Sequence, residues 1–161
     1  MNATATPPTD HSGPRYLPPT DLGTRAMNRI AGFLARRGVS VAGSRELRVV
    51  GRTSGEVRTN VVNVLVIDGH RYLVAPRGHT QWVRNLRAAG GQGELRIGRR
   101  VEAFQAVELP DDDHKVVVIR TYLEKWAWEV GRFFEGIDAD SPDDVLLAAA
   151  PGFPVFRVDA A

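Results

Sequence analysis

A chain of 161 residues, 43% hydrophobic and 25% charged, has the make-up of one globular domain with a sizeable core. It contains no cysteine, which excludes disulfides, iron–sulfur clusters and thiolate zinc sites. Its net charge of +2 falls short of the basic excess that long nucleic acids demand, and no apolar run reaches the roughly 18 residues of a bilayer span.

Residues Met1 to Thr20 are rich in Pro and Thr and poor in apolar side chains, which predicts a disordered or loosely attached arm ahead of one domain over 21–161. This start lacks the pattern of a secretory signal, so a cytoplasmic location is expected. Leu22 to Arg37 follows a helical period, with Leu22, Ala26, Ile30, Phe33 and Leu34 on one face and Arg25, Arg29 and Arg36 opposite. Such a helix either lies on the domain with a solvated basic back or makes a peripheral membrane or lid contact.

From Glu46 the period changes to two. Glu46 to Val50 reads as a strand, Gly51 to Gly55 as a turn, and the valine-rich Arg58 to Ile67 as a buried strand. Asp68-Gly69 signals a tight hairpin into Arg71 to Pro76. Gly78 to Gln81 is a loop with Thr80 as N-cap, followed by a short helix over Gln81 to Ala89 that Gly90-Gly91 ends. Strands Glu94 to Ile97 and Val101 to Leu109 follow, joined at Gly98-Arg99. A helix of about four turns opens on the acids after Pro110, with Val116, Ile119, Leu123 and Trp126 as its buried stripe. Trp128 to Ile137 is less regular. Ser141-Pro142-Asp143-Asp144 reads as N-cap, first-turn proline and two acids of a short helix, and Phe153 to Val158 as a last strand. Six strands with hairpin-like links predict an α+β fold: a six-stranded, mainly antiparallel barrel with flanking helices.

Self-contained catalytic apparatus is missing from the chain. His11, His70, His79 and His114 lack metal-ligand spacing, and neither a GxSxG elbow nor a Walker loop occurs. An enzyme built this way needs a cofactor for its chemistry. Charge indicates where an acidic one would sit. The stretch from Arg52 to Arg87 carries six arginines against Glu56 and Asp68, a local +4 against −2 for the remainder. Within it, the Gly51–Gly55 turn offers backbone N–H groups beside Arg52, Thr53, Ser54 and Arg58. The second candidate grip, Ala75, Pro76, Arg77 and Gly78 with Trp82, Asn85 and Arg87, spans a strand end and a helix start. For Trp82, packing in the core is the competing reading.

GRTSGEVRTN, RYLVAPRGHTQWVRNLRA and the closing FPVFRV together resemble the deazaflavin-dependent nitroreductase family of split β-barrels, over about Met27 to Val158. The resemblance implies an oxidoreductase that uses coenzyme F420, with FMN the lesser candidate, and needs no catalytic side chain because the reduced ring carries the hydride. It implies that Arg52, Thr53, Ser54 and Arg58 hold the phosphate region. Ala75, Pro76, Arg77, Gly78, Trp82, Asn85 and Arg87 would flank the ring and its side chain. Tyr122, Trp126, Trp128 and Phe133 are the rough counterpart of the family's substrate tyrosines, with ordinary core packing as the alternative. The implied acceptor is a small activated alkene, quinone or nitro compound, and the enzyme a monomer or homodimer. The sequence departs from the family at Thr53, where Lys or Arg is common, at Val61, where proline is often found, and in its short Gly78–Trp82 loop. A non-catalytic barrel that carries a lipid, FMN or haem is the alternative function.

Overall fold

The computed structural model describes Tyr16 and residues 43–161. The expected helix over 22–37 lies outside the described residues, as does the arm apart from Tyr16. Six strands, β1 (Ser44–Val50), β2 (Val57–Ile67), β3 (His70–Val74), β4 (Gln92–Ile97), β5 (Arg100–Glu108) and β6 (Val155–Ala160), close into a barrel in the order β1-β2-β3-β6-β5-β4. Every neighbouring pair is antiparallel. This is the six-stranded, antiparallel α+β barrel that the strands and hairpin-like links of the sequence predict, and the split barrel that the resemblance implies.

Alternation along the strands sorts the core into two layers. Leu73 and Ala75 of the β3 segment point into the barrel with Leu47, Val49, Val62, Phe104, Phe156 and Val158. Tyr72 and Val74 point outward, against the helices. The hairpin at Asp68-Gly69 has φ of 49° and 81° at its two residues, and Ile67 pairs with His70. That double left-handed turn matches the twist of the flanking strands.

Helix α1 (Gln81–Ala88) joins β3 to β4 and pushes Trp82, Val83 and Leu86 into the barrel core. Gly90 and Gly91, both at positive φ, end it as expected. Gly91 is obligatory for a second reason, since a Cβ there would run into the Ala106 carbonyl of β5. Helix α2 (Asp113–Val130) starts on Asp112, whose carboxylate accepts from the Lys115 N–H at 3.0 Å. Its expected stripe is buried, and it packs on the outer layer with α3 (Asp143–Ala149).

Several boundaries differ from the sequence reading, and β1 and β4 each begin two residues early. The long helix runs to Val130, but Trp126 leaves helical geometry (φ −128°, ψ 15°), so the less regular stretch expected from Trp128 begins as one further turn. Ser141 is not the cap of the short helix. Pro142 holds that position, while the Ser141 hydroxyl closes a turn on Asp138. The last strand starts at Val155 because Ala150–Gly152 form a 3₁₀ turn, and Phe153 stacks on Phe134 at 4.3 Å before extended pairing begins.

Candidate functional site

The glycine-bracketed turn folds as one compact unit. Gly51 N–H donates to the Glu56 carbonyl at 2.7 Å and Gly55 N–H to the Gly51 carbonyl at 2.8 Å. A Cβ on Gly51 would sit 2.8 Å from Ser54 Oγ and 3.2 Å from the Glu56 carbonyl oxygen, so a larger residue there would force the turn to shift. Ser54 Oγ accepts from the Glu56 N–H and from Arg58 Nη2 at 3.3 Å, which lays Arg58 back over the turn. Arg58 also pairs loosely with Glu56, at 3.5 Å in solvent. Arg52, Thr53, Ser54 and Arg58 are all exposed on this one turn.

Arg52 joins that turn to α1. Its backbone N–H and its Nη1 both reach Asn85 Oδ1, at 3.2 and 2.9 Å, and Nη1 also reaches Gln81 Oε1 at 2.9 Å. Arginine can only donate, so the amide oxygen of the buried Asn85 must face Arg52. The two grips proposed from the sequence, 33 residues apart, are therefore in direct contact. These partners of Arg52 are neutral amides, so its charge is not cancelled by them.

A second basic group forms on the other side of the start of α1. Tyr16 makes an antiparallel bridge with Gly78, and the Arg84 guanidinium stands 5.8 Å from its ring centroid. Burial lowers the Arg77 guanidinium from the usual arginine value; the nearby Tyr16 opposes this and the Arg132 charge adds to it. Ala75 is fully buried and Gly78 is buried, with Pro76 and Arg77 partly exposed between them. Trp82 is 8% exposed and packs 5.9 Å from Phe156, so it belongs first to the barrel core.

Arg87, expected beside the coenzyme, is engaged by other parts of the fold. Its Nε and Nη2 grip the Glu108 carboxylate at 2.8 and 2.5 Å, and its Nη1 lies 2.9 Å from His79 Nδ1. The Glu108 hydrogen bond raises its pKa, against the pull of burial. The Glu108 carboxylate balances the charge of this guanidinium and occupies two of its five N–H donors. Arg71, another member of the cluster, is likewise paired with Glu102 at 2.7 Å.

Nor do the four expected substrate residues form one wall. Tyr122 and Trp126 are 2% and 1% exposed and pack 5.0 Å apart inside the outer core layer. Trp128 is 74% exposed. Residues two apart on a helix face opposite ways, a spacing rule that separates Trp126 from Trp128 in the sequence itself. Phe133 is partly buried beneath Arg132, at 4.9 Å, and packs against the outer core layer. Gln81, Arg84 and Tyr16 were missed. Arg84 lay within the counted charge cluster, but nothing in the sequence showed that Tyr16 returns to Gly78.

Burial raises the Tyr122 phenol well above its ordinary value; the Glu129 charge adds to this, and a hydrogen bond with Asn63 opposes it. The folded protein holds that proton more tightly than the unfolded chain does. Its contribution is complete below about pH 10 and is lost as pH rises further. The melting temperature is expected to fall above about pH 10, and less steeply in Tyr122→Phe. Identical alkaline slopes for the two proteins would contradict this.

Comparison with known proteins adds to this geometry. No match was found among curated proteins. Among solved structures, the chain is similar to an F420-H2 dependent reductase (FDR-A) at 18% identity, covering 73% of this chain and 94% of that one, with a TM-score of 0.48. It is similar to a chain described as a domain-swapped dimer at 20% identity, covering 88% and 100%, with a TM-score of 0.52. A haem-binding protein from Mycobacterium smegmatis matches at 15% identity over 78% of this chain and 49% of that one, with a TM-score of 0.50. At these identities the second and third neighbours, with TM-scores of 0.52 and 0.50, establish a shared fold alone. The family profile for F420H(2)-dependent quinone reductase matches residues 26–131, which include both grips, and bears out the resemblance read from the motifs. The chain belongs to the F420H(2)-dependent quinone reductase family and is an oxidoreductase that works with the deazaflavin coenzyme F420.

Proposed function

We propose that the chain reduces a small quinone or a similarly activated alkene or nitro compound, with F420H2 seated across the contact between the Gly51–Gly55 turn and α1. The observation that carries this reading is the Arg52–Asn85–Gln81 junction, which places an exposed cation beside the start of a helix.

The residues present suit an acidic coenzyme. The turn presents Arg52, Thr53, Ser54 and Arg58 side by side, a donor set matched to phosphate oxygens. Thr80, at the N-cap of α1, is 7% exposed, and its hydroxyl has no hydrogen-bond partner among the described residues. It caps no N–H of its own helix either. A buried hydroxyl beside unpaired helix N–H groups is a polar site that a ligand can complete.

When bound, the coenzyme supplies a hydride, which with one proton converts a quinone to a hydroquinone. The chain's own residues bind and orient. Arg52 and Arg58 hold the anionic end on the turn, and Thr53 and Ser54 add neutral donors. Ala75, Pro76, Arg77 and Gly78 form the ledge along the ring, with the remaining edge of Trp82 and the Asn85 amide at its side. Phe133, under the Arg132 guanidinium, is the expected apolar contact for the acceptor. Arg77 and Arg84 add positive potential where an acceptor gains negative charge.

The test is a titration of F420 followed by tryptophan fluorescence, together with oxidation of F420H2 by menadione. Saturable binding at micromolar coenzyme with quinone-dependent turnover is expected. Binding without turnover by any quinone, enone or nitro acceptor would overturn the acceptor assignment, and failure to bind would overturn the site.

A further inference from the structure

We propose that His79, clamped by the Arg87–Glu108 pair, is a positioning residue that sets the 75–80 ledge against the coenzyme, an inference that rests on the site proposed above. The ledge connects β3 to α1 and is held at both ends by the turn before β6. At its start, Ala75 N–H donates to the Pro154 carbonyl at 2.9 Å. At its end, His79 Nε2 lies 3.0 Å from the Pro151 carbonyl oxygen. Between them, Gly78 N–H reaches the Ala75 carbonyl at 3.0 Å and Thr80 N–H the Gly78 carbonyl at 2.8 Å. The imidazole is thus the side chain that closes this brace.

The two contacts of the ring assign its tautomer. The Arg87 Nη1 facing His79 Nδ1 at 2.9 Å has only hydrogens to offer, so Nδ1 must accept. The proton then sits on Nε2 and is donated to the Pro151 carbonyl. Glu108, the last residue of β5, holds Arg87 on two oxygens and so aims Nη1 at the ring. Glu108, Arg87, His79 and Pro151 therefore form a chain of hydrogen bonds from β5 through α1 and the ledge to the β6 turn. Arg87 acts on the coenzyme through the ledge, not by touching it.

The experiment compares wild type with His79→Ala, His79→Gln and Arg87→Lys by hydrogen exchange over 75–80, by F420 binding and by steady-state kinetics. A glutamine can present one donor and one acceptor as neutral imidazole does, without titrating. His79→Ala is expected to speed exchange of the ledge and to raise both the F420 dissociation constant and the KM for F420H2 about tenfold, with kcat within about twofold. His79→Gln restores both. Arg87→Lys keeps a charge for Glu108 but loses the fork toward His79, so it reproduces the alanine result even where His79→Ala fails to fold. Unchanged exchange in Arg87→Lys and His79→Ala would overturn the brace. Faster exchange with unaltered F420 affinity would leave the brace standing and overturn its link to the coenzyme, along with the placement of F420 on this ledge.

Discussion

Arg52→Ala is expected to weaken F420 binding by roughly tenfold to a hundredfold, the value of about 1.5–3 kcal/mol for a hydrogen bond to a charged group. Arg52 is the exposed cation held in place by two amides, Gln81 and the buried Asn85, and it is the point where the two motif segments touch. Removing its side chain takes away one of the two Arg52 donors that reach Asn85 Oδ1; the backbone N–H at 3.2 Å stays. A modest drop in melting temperature therefore accompanies the binding loss. Arg52→Lys separates the two effects. The ammonium keeps the charge but cannot serve a phosphate oxygen and both amides with the planar fork of a guanidinium, so affinity is expected to fall to an intermediate level. Fluorescence titration of the three proteins reads the outcome. Equal affinity in all three would remove Arg52 from the site.

Trp126→Ala is expected to cost about 3–5 kcal/mol of folding stability, a large share of the roughly 5–15 kcal/mol that holds such a domain together. The indole is 1% exposed, lies 5.0 Å from the Tyr122 ring, and has its Cζ2 3.4 Å from where a Cβ on Gly43 would sit. Trp128→Ala, at a residue 74% exposed, is expected to change stability by no more than about 0.5 kcal/mol. Urea unfolding of the two variants decides between core and substrate wall. Trp126→Ala with an unchanged midpoint and a raised KM for the acceptor would restore the wall reading.

Much of the barrel was legible because its signals are local. The valine richness of β2, a strand that is buried only in part, the Asp68-Gly69 turn and the Gly90-Gly91 stop each depend on a few adjacent residues, and the buried stripe of α2 follows one helical period. The two grips were legible for the same reason, since each is a short glycine-marked segment. What joins them was not. Arg52 and Asn85 meet only because α1 folds back onto the β1–β2 turn, and charge counting cannot say which arginine will find an acid. Arg87 and Arg71 lie in the same basic window as Arg52, yet strand placement sets Glu108 and Glu102 beside them. The Trp126 break was hidden as well, because nothing in the local sequence marks a departure from helical geometry there.

A crystal structure with F420 bound tests the central claim most directly. The account predicts the phosphate within hydrogen-bonding distance of the Arg52 and Arg58 guanidinium groups and the ring along residues 75–78 beside Asn85. A coenzyme bound elsewhere on the barrel, with Arg52 still turned into Gln81 and Asn85 and touching no ligand atom, would contradict it.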